Sequence, residues 1–380
     1  MSGTIALYVH MPFCRRKCLY CSFTSFEHRE NDIPAYMSAL EKELERRAGS
    51  QRISTIYIGG GTPTLISSSA LTGLLNTIYK LCPVVASPEI SIEANPGIVN
   101  LMYLKAIREL GVNRLSLGVQ SFNDNELINL GRIHNSRDAL EAIGQSREAG
   151  FDNINLDLIY GLPGQTKKSW QKSLEKALEL KPEHLSLYAL TLEEETPMQK
   201  MIDQGASPPI DSDLSADLYE LASGVLGARD YRHYEISNWA KPGKECRHNL
   251  VYWHNLPYMG IGVAAHSFLY NHRLGNTDSL DEYLKQFSEG TFKPRMVEII
   301  SPELELAETI ILGLRLDEGI QKSALKQRFG VDVNRKFEKE INAMLEAGLI
   351  EQNASHLKLT ERGRFLSNEV FWRFLPEHQS

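Results

Sequence analysis

The sequence predicts an α/β fold of parallel strands covered by helices, followed by a mostly helical C-terminal appendage. Three observations carry this. Over the first half of the chain a short β-branched strand, a loop and an amphipathic helical stretch recur six times. Repeated βα units need crossover connections, and crossovers make the strands parallel. After Leu190 the rhythm stops, and from Ser301 onward the order is helix, helix, helix and hairpin.

The predicted strands are 5–10, 55–59, 89–93, 114–118, 153–157 and 184–189, each of buried character. The helices between them fall at 34–47, 70–81, 100–110, 137–149 and 168–180, with Gly111 and Gly150 as C-terminal stops. Periodicity alone does not separate a doubly wound sheet from a barrel. His10, Gly59 to Thr62, Glu93 to Asn95, Gln120, Asp157 and Thr191 sit at or just beyond the carboxyl ends of successive strands, where α/β folds build their sites.

An acidic, Pro- and Gly-punctuated connection, 193–205, leads to a helix at 213–228, and 231–292 reads as aromatic and irregular. The segment 301–375, with its third helix at 334–346 and a strand at 357–359, suggests a winged-helix-like module. The expected divisions are therefore 1–195, 196–300 and 301–380. No basic stripe runs along the third helix, so packing or partner docking is expected of this module rather than DNA binding.

At 380 residues, 42% hydrophobic and 23% charged, the chain has room for one large domain and a smaller one. Lys and Arg number 41 against 48 Asp and Glu, a net charge of -7 that argues against nucleic acid as the main partner. The start, MSGTIALYVHMPFC, lacks the regions of a signal peptide, and no stretch approaches the ~18 apolar residues of a membrane span, so a cytoplasmic protein is expected. In that reducing compartment five cysteines do not suggest a disulfide framework.

Three of the five lie within eight residues, in Cys14-Arg-Arg-Lys-Cys18-Leu-Tyr-Cys21, directly after the first strand. Three thiolates can hold an iron-sulfur cluster with one iron left open to a further ligand. A zinc site completed by His10 or His28, or three unrelated buried thiols, are the competing readings. Gly59-Gly-Gly-Thr-Pro63 follows the second strand, where glycines let backbone N–H and C=O groups approach a ligand closely, although a glycine run can also be a plain turn.

The cysteine spacing and its place after strand one match the CxxxCxxC signature of radical S-adenosylmethionine (SAM) enzymes, and Tyr20 fits the aromatic position of that signature. Over its whole length the chain resembles the oxygen-independent coproporphyrinogen III oxidase family, and within it the HemW branch of haem chaperones. The segments Gly118-Val-Gln-Ser-Phe122 and Asp157-Leu-Ile-Tyr-Gly-Leu-Pro163 carry the resemblance most closely. It implies a partial (β/α)6 barrel of TIM type and a 4Fe-4S cluster on Cys14, Cys18 and Cys21. It also implies that the open iron chelates SAM, which the reduced cluster cleaves to methionine and a 5'-deoxyadenosyl radical.

By the same resemblance Gly60, Gly61 and Thr62 meet the methionine end of SAM, Glu93 accepts the ribose hydroxyls, and Tyr8, Tyr20, Gln120, Arg132 and Asp157 line the pocket, Arg132 offering a guanidinium fork to a carboxylate. Three departures favour the chaperone over the oxidase. Phe23 stands where the oxidase has a further cysteine, Met1 lies only thirteen residues before Cys14, and His248-Asn249-Leu-Val-Tyr252-Trp253 matches the HNxxYW pattern of the chaperones. There His248 would ligate haem, with Asn249, Tyr252 and Trp253 around it. Cys246 and His266 are alternative ligands, and Cys82 is expected to be structural.

The expected function is a haem chaperone that binds a 4Fe-4S cluster, SAM and haem and delivers haem to a client haemoprotein. No catalytic residue is assigned. The alternative is an anaerobic coproporphyrinogen III dehydrogenase that forms protoporphyrinogen, and a radical SAM enzyme of unrelated substrate stands third. The implied partners are haem, the client (a membrane-bound respiratory enzyme among the candidates, which would hold the protein at the membrane periphery), an electron donor for the cluster and a second copy in a homodimer.

Overall fold

A computed structural model describes residues 3–376. Six strands, β1 (Thr4–Met11), β2 (Arg52–Gly60), β3 (Val84–Ala94), β4 (Arg114–Gln120), β5 (Ile154–Tyr160) and β6 (His184–Ala189), lie side by side in chain order. Every adjacent pair among them is parallel. The connecting helices have the expected extents, among them Ile33–Arg47, Ser68–Leu81 and Lys167–Glu179. Their apolar faces join the strands in one core that includes Leu7, Leu40, Ile58, Leu117, Leu156 and Trp170. Every residue of β4 is buried, as a parallel strand covered on both faces requires.

The sheet does not close. Beyond β6 it continues into an antiparallel ribbon, Asn238–Ala240 and Arg232–Glu235. Beyond β1 it gains Tyr258–Ile261, parallel to β1, and then His266–Leu269, His272–Gly275 and Met296–Ile299 in antiparallel succession. The result is a twelve-stranded open sheet whose middle six strands form the expected partial barrel. The reading of 231–292 as irregular is corrected here. These strands are only three or four residues long, too short for alternation to show in the sequence.

The segment 258–283 is tied to the first βα unit by Glu43, whose side chain is 0% exposed. Its carboxylate accepts from Arg47 Nη1 (2.8 Å), the Gly262 amide (2.8 Å), Asn276 Nδ2 (2.8 Å) and the Tyr283 hydroxyl (2.6 Å). Four donors compensate the desolvation that an ionised carboxylate suffers in the interior.

The C-terminal part has its own core, including Leu306, Leu325, Ile341, Leu357 and Phe374. Helices Pro302–Gly313, Lys322–Phe329, Val333–Lys336 and Glu338–Glu346 pack with a three-stranded antiparallel sheet of Ile320–Gln321, His356–Leu359 and Ile350–Gln352. The third helix expected at 334–346 is broken at Phe337 (φ -115°, ψ 35°), whose buried ring meets Phe374 edge-on at 5.2 Å. Arg328 fastens this module to the loop before Tyr258–Ile261 through the His254 (3.2 Å) and Asn255 (2.8 Å) carbonyls, and is itself held by Glu305 within the module (2.7 Å). Among the described residues no helix is long and apolar enough to cross a membrane.

Removing the Glu43 carboxylate leaves the Gly262 amide and the Tyr283 hydroxyl without their acceptor and the mostly buried Arg47 without its counter-charge. Glu43→Ala is expected to lower stability by about 3–5 kcal/mol, measured as a fall in the urea midpoint. Glu43→Gln, which keeps an acceptor oxygen, loses less.

Candidate functional site

The carboxyl ends of the parallel strands open into a cavity of about 380 Å³. Cys14, Cys18 and Cys21 line its mouth and are free thiols. The loop that carries them is pinned at several points. Leu19 N–H donates to the Leu130 carbonyl (3.1 Å), Cys21 N–H to the Cys18 carbonyl (3.1 Å), Arg132 Nη1 to Cys18 Sγ (3.4 Å) and Thr62 Oγ1 to Cys14 Sγ (3.7 Å). Burial pushes the Cys14 and Cys21 thiols up, so a metal must drive their deprotonation. Among the described residues no three His, Cys, Asp or Glu side chains converge closely enough to hold one metal ion. A cluster spreads its thiolates over separate irons and does not require such convergence. His10, a candidate fourth ligand in a zinc site, is buried. Its Nε2–H donates to the Thr24 carbonyl (2.8 Å) and its Nδ1 accepts from the Tyr8 hydroxyl (2.9 Å).

The turn after β2 threads between the cysteine loop and β3. Gly60 has φ 121°, and its N–H donates to Glu93 Oε2 (3.0 Å). A Cβ on Gly61 would lie 2.8 Å from the Phe13 carbonyl and 2.9 Å from Cys14 Sγ, so only glycine lets the two loops approach this closely.

Glu93 stands at the end of β3, its Oε1 accepting from the Tyr57 hydroxyl (2.9 Å). Burial, with the nearby Asp157 carboxylate, pushes its carboxyl up to about 7. Asp157 accepts from Ser116 Oγ (3.0 Å) and Asn155 Nδ2 (2.8 Å), and burial raises it too. Arg132 Nη2 donates to Asn95 Oδ1 (2.5 Å) and the Gly118 carbonyl (2.8 Å), while its buried Nε has no hydrogen-bond partner. Gln120 holds the left-handed region at φ 65°, a strained geometry for a residue with a side chain.

The cavity therefore gathers Tyr20, Gly60, Gly61, Thr62, Glu93, Gln120, Arg132 and Asp157 beside the three cysteines. Tyr8 is not on its wall. It stacks on Tyr57 at 6.3 Å and serves His10. Sequence reasoning missed Tyr57 and Ser116, which face the cavity, and left Asn95 without a role although it bridges Arg132 and Thr62 Oγ1 (2.8 Å). The signal for the first two was alternation, since Tyr57 lies two positions before Gly59 and Ser116 two before Gly118. The donor set fits the implied groups: three thiols, a backbone cradle that a Cβ would fill, acceptors for hydroxyls and a guanidinium for a carboxylate.

The 248–253 motif lies elsewhere. His248 is buried in the helix Arg247–Trp253, with Nδ1 on Thr55 Oγ1 (2.8 Å) and Nε2 on the Tyr252 hydroxyl (2.9 Å). Burial lowers the imidazole to about 3 and keeps it neutral. Asn249 and Tyr252 are half-buried, and Trp253 stacks under Arg315 at 5.5 Å. None of the four lines the cavity, and His248 as placed has no free ring nitrogen to offer an iron. Cys246 is buried beside Glu89 (3.6 Å), its thiol pushed up to about 12 by burial, and His266 is exposed. Cys82 is buried and ends the helix Ser68–Leu81.

Residues 8–177 match the radical SAM superfamily, and residues 300–366 match the HemN C-terminal domain. The chain is 37% identical to the haem chaperone HemW of Bacillus subtilis, over 97% of its own length and 99% of that protein. It is 34% identical to the mitochondrial radical S-adenosyl methionine domain-containing protein 1 of Bos taurus, over 100% of this chain and 89% of that one. Among solved structures, the coproporphyrinogen III oxidase HemN of Escherichia coli superposes with a TM-score of 0.87 at 25% identity, covering 98% of this chain and 90% of that one.

Two outcomes are expected at this site. Gly61→Ala forces the Phe13–Cys14 backbone aside, an overpacking that costs about 1–3 kcal/mol, and iron and sulfide content after anaerobic reconstitution drops below that of the wild type. Because the Glu93 carboxyl sits near 7 in the folded chain against an ordinary 4.5, its contribution to stability is present below about 4.5 and is lost as pH rises towards 7. Melting temperature of the metal-free protein against pH is therefore expected to fall less steeply across that window in Glu93→Gln than in the wild type.

Proposed function

The chain belongs to the radical SAM superfamily, in its HemN/HemW family, and from that premise we propose that it is a haem chaperone that carries a 4Fe-4S cluster and SAM, binds haem and passes it to a client haemoprotein. The observation that carries this reading is the end-to-end similarity to proteins named haem chaperones, extending through both the open barrel and the C-terminal module. Phe23 supports it. At the position where the resemblance expects a cysteine in the oxidase, the cavity mouth presents an apolar ring that is 67% exposed.

In this reading Cys14, Cys18 and Cys21 hold the cluster, which when bound supplies one electron and an open iron site. The chain's own groups do the rest. Gly60 and Gly61 keep the backbone close to the ligand, and Arg132 meets a carboxylate. Glu93, fixed by Gly60 and Tyr57, accepts hydroxyls, while Asp157 and Gln120 complete the wall. Tyr20, half-buried beside Arg132, shields the cysteine loop. Tyr8 acts one step away, through His10. An electron donor and a client haemoprotein are the partners this function requires. Its setting is the cytoplasm, at the membrane periphery where the client is membrane-bound, and a homodimer is one form in which it could act.

The oxidase reading keeps one specific support, the backbone shared with HemN at a TM-score of 0.87. A direct assay separates the two. Purified protein titrated with haem is expected to bind it stoichiometrically, read from the Soret band, and to form no protoporphyrinogen from coproporphyrinogen III with SAM and a reductant. Turnover of coproporphyrinogen without haem binding would establish the oxidase instead.

A further inference from the structure

If the protein receives haem, the macrocycle needs a surface, and the buried imidazole of His248 does not provide one. Two large exposed apolar side chains, Phe23 (67% exposed) and Ile133 (47%), line the cysteine-lined cavity, and Tyr188 lines it further in, its hydroxyl beside Ser186 and Asp157. They come from three separate elements: the cysteine loop, the turn after Arg132, and β6. Exposed apolar side chains brought to one cavity from distant parts of the chain mark a binding surface.

Arg15 and Arg16 line the same cavity. Both are exposed, and neither guanidinium has an ion-pair partner among the described residues, whereas the neighbouring Lys17 is engaged with the Phe23 carbonyl (2.9 Å). In a chain of net charge -7, two free arginines beside an apolar rim are complementary to a flat apolar molecule bearing carboxylates. The cavity itself, about 380 Å³, is near the lower end of the roughly 300–1,000 Å³ of small-ligand sites, and its deep wall carries the polar groups already given to SAM.

We propose that haem is received across the mouth of this cavity, its macrocycle on Phe23 and Ile133 and its two propionates on Arg15 and Arg16, next to the cluster rather than at His248. This rests on the haem-chaperone reading and gives it a location. Recognition is through the ring's apolar face and its carboxylates, so iron is not required for binding at this surface.

The test is a set of titrations on full-length, cluster-loaded protein, with haem followed by Soret absorbance and iron-free protoporphyrin followed by fluorescence. The wild type is expected to bind both, and to bind protoporphyrin dimethyl ester about tenfold more weakly. R15Q/R16Q is expected to lose about tenfold in affinity for protoporphyrin and little for its dimethyl ester. Phe23→Ala is expected to weaken all three ligands, while iron and sulfide content and far-ultraviolet dichroism stay at wild-type levels in both variants. Haem binding that is unchanged in R15Q/R16Q and in Phe23→Ala overturns this location and leaves the chaperone function standing. A wild-type protein that binds no porphyrin at all overturns the chaperone reading itself.

Discussion

Parallel strand pairing is the constraint on which the site depends. In a parallel sheet every carboxyl end falls on the same edge, so positions as remote in sequence as Gly60, Glu93, Gln120 and Asp157 are brought around one opening without any long-range design beyond register. The register is recorded in the pairs Glu93 with Ser116 and Gly118 with Asp157. A shift of one residue would turn Glu93 and Asp157 into the helical layer and place Ile92 and Leu156 at the cavity.

The same pairing orders the polar interior beneath the cavity. Each hydrogen bond below Asp157 has a fixed direction. Asn155 Nδ2 donates to Asp157 Oδ1 (2.8 Å) and Ser116 Oγ (2.7 Å), so its Oδ1 must accept, from Ser186 Oγ (3.1 Å) and His184 Nδ1 (2.6 Å). His184 therefore carries its proton on Nδ1, and Nε2 accepts from the Tyr234 hydroxyl (2.8 Å). Burial holds this imidazole neutral, well below its ordinary range, as it does His248. Neutral histidines can span such a network without adding charge to an interior that already holds Glu93 and Asp157. This accounts for the placement of His248 as well: between Thr55 and Tyr252 it joins the helix Arg247–Trp253 to β2, a structural task that the sequence pattern does not distinguish from iron ligation.

What the sequence shows and what it conceals divide along physical lines. The six strands and their helices were legible because each is long enough for its period to repeat, and Gly111 and Gly150 end helices in the left-handed region as expected. The cysteine loop, the glycine turn and the strand-end carboxylates were legible because chemistry-bearing residues fall at fixed offsets from those strands. The outer strands were not, since three or four residues carry no measurable alternation, and one of them, Tyr258–Ile261, takes its place from β1 at the start of the chain. Glu43 is the clearest case. On its helix it resembles any surface glutamate, and only the arrival of Gly262, Asn276 and Tyr283 makes it an interior residue. Exposure was equally hidden, because nothing local to Phe23 or Arg15 says that they look outward at the cavity mouth.

An open sheet leaves two edges, and a free edge invites pairing with another chain. One edge here, Arg232–Glu235, is covered by the C-terminal module. Glu235 forms a bridge with Leu316, the Asp317 N–H donates to the Tyr234 carbonyl (3.0 Å), and Arg364 reaches both His233 and Asp317. His233 in turn stacks on Trp239 at 4.2 Å, which carries the contact into the ribbon that borders β6. The module thus closes the side of the sheet on which Asp157, Asn155 and His184 lie, since Tyr234, the last member of that hydrogen-bonded series, belongs to the very strand it covers. Its packing and the geometry of the cavity wall are consequently parts of one continuous structure rather than two neighbours on a chain.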